Sequence, residues 1–227
     1  MRQLNRIASA CYLATDTILD AVDFRPSARV LVACMPKSAS TSLTNAIGAY
    51  PGFRKIEQYR LSPVVLIRDL PDAVLSFRDH LRRESRDSSA GIFTKAHMQQ
   101  DDAALEESVV RLAMPWYLSF YVGWRQDPSA HFVAYEELVK DPAGVIGDVL
   151  RFAGVEPAPS AMTKAVHAFR GPNNRINVGI AGRGRALSPR AAQALALLLD
   201  QYPEFENDAY FRGMRATLDT AMAVGAV

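Results

Sequence analysis

The feature that most constrains the fold is an apolar run that leads into a turn of small residues and then into a helix. Residues 29–35 (Arg-Val-Leu-Val-Ala-Cys-Met) are typical of a parallel strand covered on both faces. The turn follows at 36–42, and the pattern over 40–50 predicts a helix that ends at Pro51-Gly52. Such a unit directs backbone N–H groups and the positive end of a helix dipole towards one point, which favours phosphate binding.

The turn carries the side chains that a phosphate site needs. Lys37 adds a positive charge, Ala39 is small, and the hydroxyl residues around them are Ser38, Ser40, Thr41 and Ser42. The pattern is not GxxxxGK[ST], because Lys37 stands at the start of the turn and no glycine precedes it. A capped helix with an exposed Lys37 is the alternative, but these hydroxyls exceed what capping requires.

A second strand, turn and helix has the same arrangement and carries different side chains that could bind an anion. Residues 63–67 are an apolar strand pattern, Arg68 follows directly, and Pro71 suits the first turn of the next helix. Arg68 offers a rigid fork of donors and Ser76 a hydroxyl, so both suit a second phosphate. An ion pair of Arg68 with Asp69 or Asp72 is the structural alternative. Two such elements imply a nucleotide that is phosphorylated at both ends.

The rest of the chain completes an α/β pattern. A third strand is predicted at 131–135, and a helix runs from Asp141-Pro142 to Phe152 and ends at Gly154. The fold class is therefore α/β, with three layers and a central, mainly parallel sheet flanked by helices. We predict one domain over 1–227, divided into an N-terminal helix at 1–25, a phosphate-binding core at 28–80, a mobile segment and helices at 82–125, and C-terminal strand, helices and Arg/Gly loop at 130–215.

Composition limits the partners. The charges nearly cancel, with 26 basic and 24 acidic residues, so no overall field favours nucleic acid. No window approaches the ~18 consecutive apolar residues of a membrane span. The N-terminal stretch lacks the apolar core of a signal peptide, and Cys11 and Cys34 have no metal or redox spacing, so we expect a cytoplasmic protein that binds no metal ion.

Four segments together resemble the PAPS-dependent sulfotransferases. The family's 5′-phosphosulfate loop reads PKSGTT and its 3′-phosphate element RxPxDxxxS, where this chain has PKSASTS (36–42) and RDLPDAVLS (68–76). The segment VAYEELVKDPAGVIGDVLRFAGV (133–155) is similar to the family's YEDL…P…FLG, and NVGIAGRG (177–184) to its RKGxxGDW loop. The resemblance implies the P-loop-like sulfotransferase fold and transfer of a sulfuryl group from PAPS, with PAP as product.

The resemblance also implies roles for individual residues. Lys37 would stabilise charge on the bridging oxygen, and the turn from Ser38 to Ser42 would hold the 5′-phosphate. Arg68 and Ser76 would read the 3′-phosphate, and Tyr135 matches a position near the adenine. The C-terminal loop would close over the nucleotide, with Gly182 as part of the loop and Arg175, Arg183 and Arg185 as candidate phosphate partners.

Two departures from the family affect catalysis. The family's Arg-Lys pair before the first glycine of the loop is replaced by Asn177-Val178. Only 31 positions separate Lys37 from Arg68, whereas family members usually have a longer insert with another strand and a histidine or glutamate base. Glu57 by chain position and His80, one helical turn after Ser76, are the candidates for this base. The other histidines favour structural or surface roles.

Two other functions remain open at this point. A P-loop-type small-molecule kinase would need Mg²⁺ ligands, and the sequence has no strand that ends in a comparable acidic residue. A catalytically impaired nucleotide-binding homologue would fit the short 51–63 segment. The acceptor is expected to be a small molecule or a carbohydrate with a hydroxyl or amine, and a homodimer is compatible with the composition.

Overall fold

The chain forms two compact units, each built from two stretches of sequence. The first comprises described residues of 1–67 and 124–179, and the second those of 68–123 and 180–227. The structure, a computed structural model, describes residues 28–35, 37–50, 53–57, 63–84, 92–171 and 180–224. The predicted N-terminal helix at 1–25 lies outside the described residues.

The first unit contains a wholly parallel sheet of four described strands in the order β2-β1-β3-β4. The strands are β1 (Ala28–Cys34), β2 (Phe53–Glu57), β3 (Val64–Ile67) and β4 (His131–Ala134). Strands β1 and β3 are neighbours, with Cys34 opposite Leu66, and Met35 N donates to the Leu66 carbonyl at 3.1 Å. The two strands that precede the predicted phosphate elements are therefore paired at their carboxyl ends.

Helices connect these strands and cover part of the sheet. The helices in the described part of the first unit are α1 (Ser40–Gly48), α5 (Tyr135–Lys140), α6 (Pro142–Phe152) and α7 (Pro159–Phe169). Both α6 and α7 begin with proline, whose missing N–H is not needed there. Helix α6 is capped by Asp141, which accepts the Gly144 N–H, and Gly154 at φ 79° ends it in the left-handed conformation.

Apolar side chains from the strands and these helices form one core. Burial of this apolar surface is the main stabilising contribution, at about 25 cal/mol per Å². Tyr50 ties α1 to the segment before α7, because its hydroxyl accepts the Ala158 N–H at 2.8 Å. The buried members of the core are Val32, Leu43, Ala46, Ile47, Tyr50, Val64, Leu66, Val133, Leu138, Ile146, Val149, Leu150, Ala165 and Phe169.

The second unit is helical in its described part. Its helices are α2 (Leu70–Glu84), α3 (Lys95–Met98), α4 (Asp102–Arg125, whose last two residues count with the first unit), α8 (Pro189–Leu199) and α9 (Ala209–Val224), with 3₁₀ turns at Arg183–Ala186 and Pro203–Phe205. Helix α9 packs on α8, on α2 and on the first 3₁₀ turn. It buries Phe211, Met214, Leu218 and Ala221, which recur at helical spacing. No described helix has the length and apolarity that crossing a membrane requires.

The structure confirms the predicted fold class and corrects parts of the prediction. The segment 51–63, although short, contains β2, which pairs in parallel with β1. Strand β4 ends at Ala134, so Tyr135 begins α5 instead of ending a strand. Arg82, at the start of the segment predicted to be mobile, donates to the carbonyls of Met98 and Gln100, and the mobility of that segment stays a prediction.

Candidate functional site

The Lys37 turn in the first unit has an unusual backbone. Lys37 (φ 65°) and Ala39 (φ 64°) are the non-glycine residues with positive φ in the described part of the chain. The left-handed conformation costs an L-residue about 1–2 kcal/mol, so the surrounding structure must impose it. Turns of this kind form concave loops of backbone N–H groups that bind anions.

Helix α1 begins directly after this turn and leaves its positive end open to an anion. Its N-cap is Ala39, which makes no side-chain cap, and its first turn contains no acidic residue. The N-terminal N–H groups of a helix carry roughly half a positive charge, which an anion stabilises. The local structure therefore fits the phosphate predicted at this position.

The hydroxyl residues of the turn divide into two pairs. Ser38 is buried, and its Oγ donates to the Met35 carbonyl at 2.6 Å, which closes the loop. Ser42 is also buried, at 1% exposure. Ser40 is partly exposed and Thr41 is exposed. The structure thus gives Ser38 a part in shaping the turn, while Ser40 and Thr41 are the more exposed hydroxyl residues.

Ala39 provides a test of this backbone. Replacing Ala39 by glycine removes the cost of its positive φ, and we expect the free energy of unfolding to rise by about 0.5–1 kcal/mol. Urea denaturation measures the change. Ala46→Gly in the middle of α1 is the matched control and should lower stability, because there glycine disfavours the helix and removes a buried methyl group. A loss of stability in Ala39→Gly would show that the turn is not strained.

The second predicted phosphate element lies in the second unit. Arg68 lies between β3 and α2 and is 4% exposed, and Ser76, inside α2, is 2% exposed. Both are thus buried polar residues, one just before α2 and one within it. The Asp72 carboxylate accepts the N–H groups of Gly182 and Gly184, and an ion pair of Arg68 with Asp69 or Asp72 stays the structural alternative.

Asp72 anchors the C-terminal loop to the start of α2. Its two carboxylate oxygens accept the N–H groups of Gly182 (2.8 Å) and Gly184 (2.5 Å), and Asp72 is fully buried. Gly182 has φ 82°, and a Cβ on Gly184 would collide with the Cβ of Pro71. Glycine is therefore required at 184 for the loop to approach α2 this closely.

A chain of charged groups holds the same loop further along α2. Arg183 contacts Asp79 at 2.6 Å, Arg78 contacts Asp79 at 2.7 Å, and Arg78 also contacts Glu106 at 2.5 Å. Burial alone would raise the pKa of Asp79, but hydrogen bonds from Arg183 and Arg78 hold that pKa below its usual value. Glu106 in turn accepts the N–H of Ser188, the N-cap of α8. Arg183 thus fixes the loop, and its phosphate contact stays a prediction.

The candidate bases have different surroundings. Glu57 is the last residue of β2, in register with Val32 of β1. His80 lies in α2, partly buried, with its ring edge-on to Phe77 at 6.2 Å. His97 lies in α3, where its Nδ1 accepts the Thr94 N–H at 3.1 Å.

The remaining predicted residues lie elsewhere in the two units or outside the described residues. Tyr135 is buried at 3% exposure in the first unit, and Arg185 is exposed in the 3₁₀ turn of the second. Arg175 and Asn177-Val178 lie outside the described residues. The sequence prediction missed the loop-anchoring roles of Asp72 and Asp79, although the shared position of Asp72 in RxPxDxxxS was a usable signal.

Comparisons with known proteins identify the family and a similar fold. The model of the sulfotransferase domain family matches residues 52–177, more than half of the chain, including Arg68, Ser76 and Tyr135. Among solved structures, mouse sulfotransferase SULT7A1 complexed with PAP is similar in fold, with a TM-score of 0.60 at 13% identity over 83% of this chain and 88% of that one. No curated protein matches the chain.

Proposed function

The chain belongs to the sulfotransferase domain family and is a sulfuryl-transferring enzyme, and we propose that its donor is PAPS and its acceptor a hydroxyl or amine. The observation that carries the proposal is the Lys37 turn, where two left-handed residues precede a helix without a side-chain cap. This turn suits the 5′-phosphosulfate end of the donor, because its own residues provide a cation and amide donors and no acidic group. The family match favours this function over the kinase alternative.

Lys37 has the central role in this proposal. When bound, PAPS supplies an activated sulfuryl group, whose bond to the 5′-phosphate oxygen breaks as a bond to the acceptor oxygen or nitrogen forms. Lys37 would donate to the oxygen that gains negative charge, and a fixed cation at this point stabilises the transition state. Ser40, Thr41 and the amides of the turn would hold the 5′-phosphate, while Ser38 maintains the shape of the turn.

We propose that residues of the second unit recognise the 3′-phosphate of the nucleotide. Arg68 would bind the 3′-phosphate through its planar guanidinium, and Ser76 would add a hydroxyl donor. The loop held by Asp72, with Gly182 and Arg183, would contact the nucleotide together with Arg175, and Tyr135 would lie near the adenine. The resemblance to the family motif and the burial of Arg68 and Ser76 support these roles.

The acceptor proton must pass to a base, for which Glu57 and His80 are our two candidates. In the Glu57→Gln and His80→Gln variants, kcat/KM should fall by about 10²- to 10⁴-fold for the residue that acts as the base. The acidic limb of the pH profile of kcat/KM should disappear in that variant alone. An unchanged profile in both variants would exclude both residues.

Three finer features are also proposed. The acceptor is a small molecule or a carbohydrate, the location is cytoplasmic, and the enzyme acts without a metal ion, because Lys37 supplies the charge at the leaving oxygen. A homodimer stays a prediction.

Incubation of the protein with ³⁵S-labelled PAPS and a panel of phenols, alcohols, amines and sugars tests the proposed activity. We expect label to move to at least one acceptor class, with PAP released in equal amount and with the same rate in EDTA. Transfer from labelled ATP with Mg²⁺, without any transfer from PAPS, would overturn the proposal. The same screen identifies the acceptor class.

A further inference from the structure

A hydrogen bond from the C-terminal helix reaches the backbone of Arg68. The Tyr210 hydroxyl donates to the Arg68 carbonyl oxygen at 2.6 Å, although the two residues are 142 positions apart in sequence. Arg68 follows the end of β3 and precedes α2, so its carbonyl lies outside both elements. A carbonyl in such a linker needs a partner from elsewhere, and Tyr210 provides it.

Tyr210 itself is fixed by its neighbours in the second unit. Its ring packs against that of Tyr121 at 4.4 Å, and Tyr121 donates its hydroxyl to Asp208 at 2.8 Å. The same Asp208 oxygen accepts the Tyr210 N–H at 2.9 Å at the start of α9. Backbone and ring of Tyr210 are therefore both held, so its hydroxyl is a fixed point of attachment.

We infer that Tyr210 is a positioning residue for recognition of the 3′-phosphate, an inference that rests on the proposed role of Arg68. The guanidinium lies at the end of a long side chain, so a small rotation of the Arg68 backbone displaces it considerably. A shift of ~1 Å at a binding group can cost up to ~10² in binding or rate. Because Tyr210 fixes the Arg68 carbonyl, it also fixes the direction in which the Arg68 side chain leaves the backbone between β3 and α2.

The test compares two conservative variants, Tyr210→Phe and Tyr121→Phe. Each removes one hydroxyl from the same pair of packed rings, but only the first loses a contact to Arg68. Binding of PAP and of 5′-AMP, which differs from PAP only by lacking the 3′-phosphate, is measured by isothermal titration. Tyr210→Phe should weaken PAP binding by about three- to tenfold, because a misdirected Arg68 loses about one hydrogen bond to the 3′-phosphate, and it should leave AMP binding unchanged.

The control separates positioning from stability. Tyr121→Phe should lower the melting temperature to a similar extent as Tyr210→Phe but keep the PAP/AMP ratio of the wild type. Equal weakening of PAP and AMP in Tyr210→Phe, or the same ratio in both tyrosine variants, would overturn the inference. Arg68→Lys, measured in parallel, distinguishes a failure of the Tyr210 inference from a failure of the Arg68 assignment. If the PAP/AMP affinity ratio changes in Arg68→Lys but not in Tyr210→Phe, the Tyr210 inference alone is overturned. An unchanged ratio in both overturns the assignment of Arg68 as well.

Discussion

Replacing Lys37 by alanine will reduce sulfuryl transfer by at least about 10²- to 10³-fold, the usual effect of removing one donor from a developing negative charge. Alanine is the suitable substitution because it keeps the Cβ, so the cost of the left-handed backbone at Lys37 is unchanged. The rate of PAP release from PAPS measures the loss, in the presence of an acceptor found by the screen.

Lys164→Ala is the matched control, since Lys164 is an exposed lysine on α7 in the same unit and has no predicted contact with the nucleotide. Its rate should equal that of the wild type. A Lys37→Ala enzyme with more than half of the wild-type rate would show that Lys37 is not at the reacting centre.

Replacing Arg68 by alanine will weaken PAP binding by about 10²-fold, because charge-assisted, bidentate hydrogen bonds to a phosphate are lost. Binding of 5′-AMP should change by less than about threefold, since AMP has no 3′-phosphate to contact Arg68. Isothermal titration of both nucleotides gives the ratio, and thermal unfolding confirms that the variant is folded.

Arg68→Lys serves as a second variant, because the removal of a buried arginine can also destabilise the second unit. Lysine keeps the positive charge but lacks the planar fork, so we expect a loss of PAP affinity between wild type and alanine. If either variant loses PAP and AMP affinity in equal measure, Arg68 acts on the fold and not on the 3′-phosphate.

Much of the fold was predictable because its local signals agree with one another. The apolar runs before the Lys37 turn and before Arg68 correspond to β1 and β3, and Pro142 begins α6 as its position suggested. Strand β2 was missed because Arg54 and Lys55 interrupt its apolar pattern. Its pairing with β1 is a contact between distant residues that a local pattern does not contain.

The candidate site was predictable only in part, because some of its contacts join residues that are distant in the sequence. Lys37 and Arg68 could be identified because each directly follows a predicted strand and precedes a predicted helix. The hydroxyl residues near them belong to the same two segments. The contacts from Asp72 to Gly184 and from Tyr210 to Arg68 join residues more than 100 positions apart. Nothing in the local sequence around Tyr210 distinguishes it from a surface tyrosine, so only the packing of α9 reveals its contact.

Titration of the unmodified protein with PAP and with 5′-AMP tests the central claim, recognition of a nucleotide phosphorylated at both ends, most directly. If Arg68 and Ser76 bind the 3′-phosphate, PAP should bind at least about 10²-fold more tightly than AMP, in the absence of Mg²⁺. Equal affinity for the two nucleotides would contradict the account.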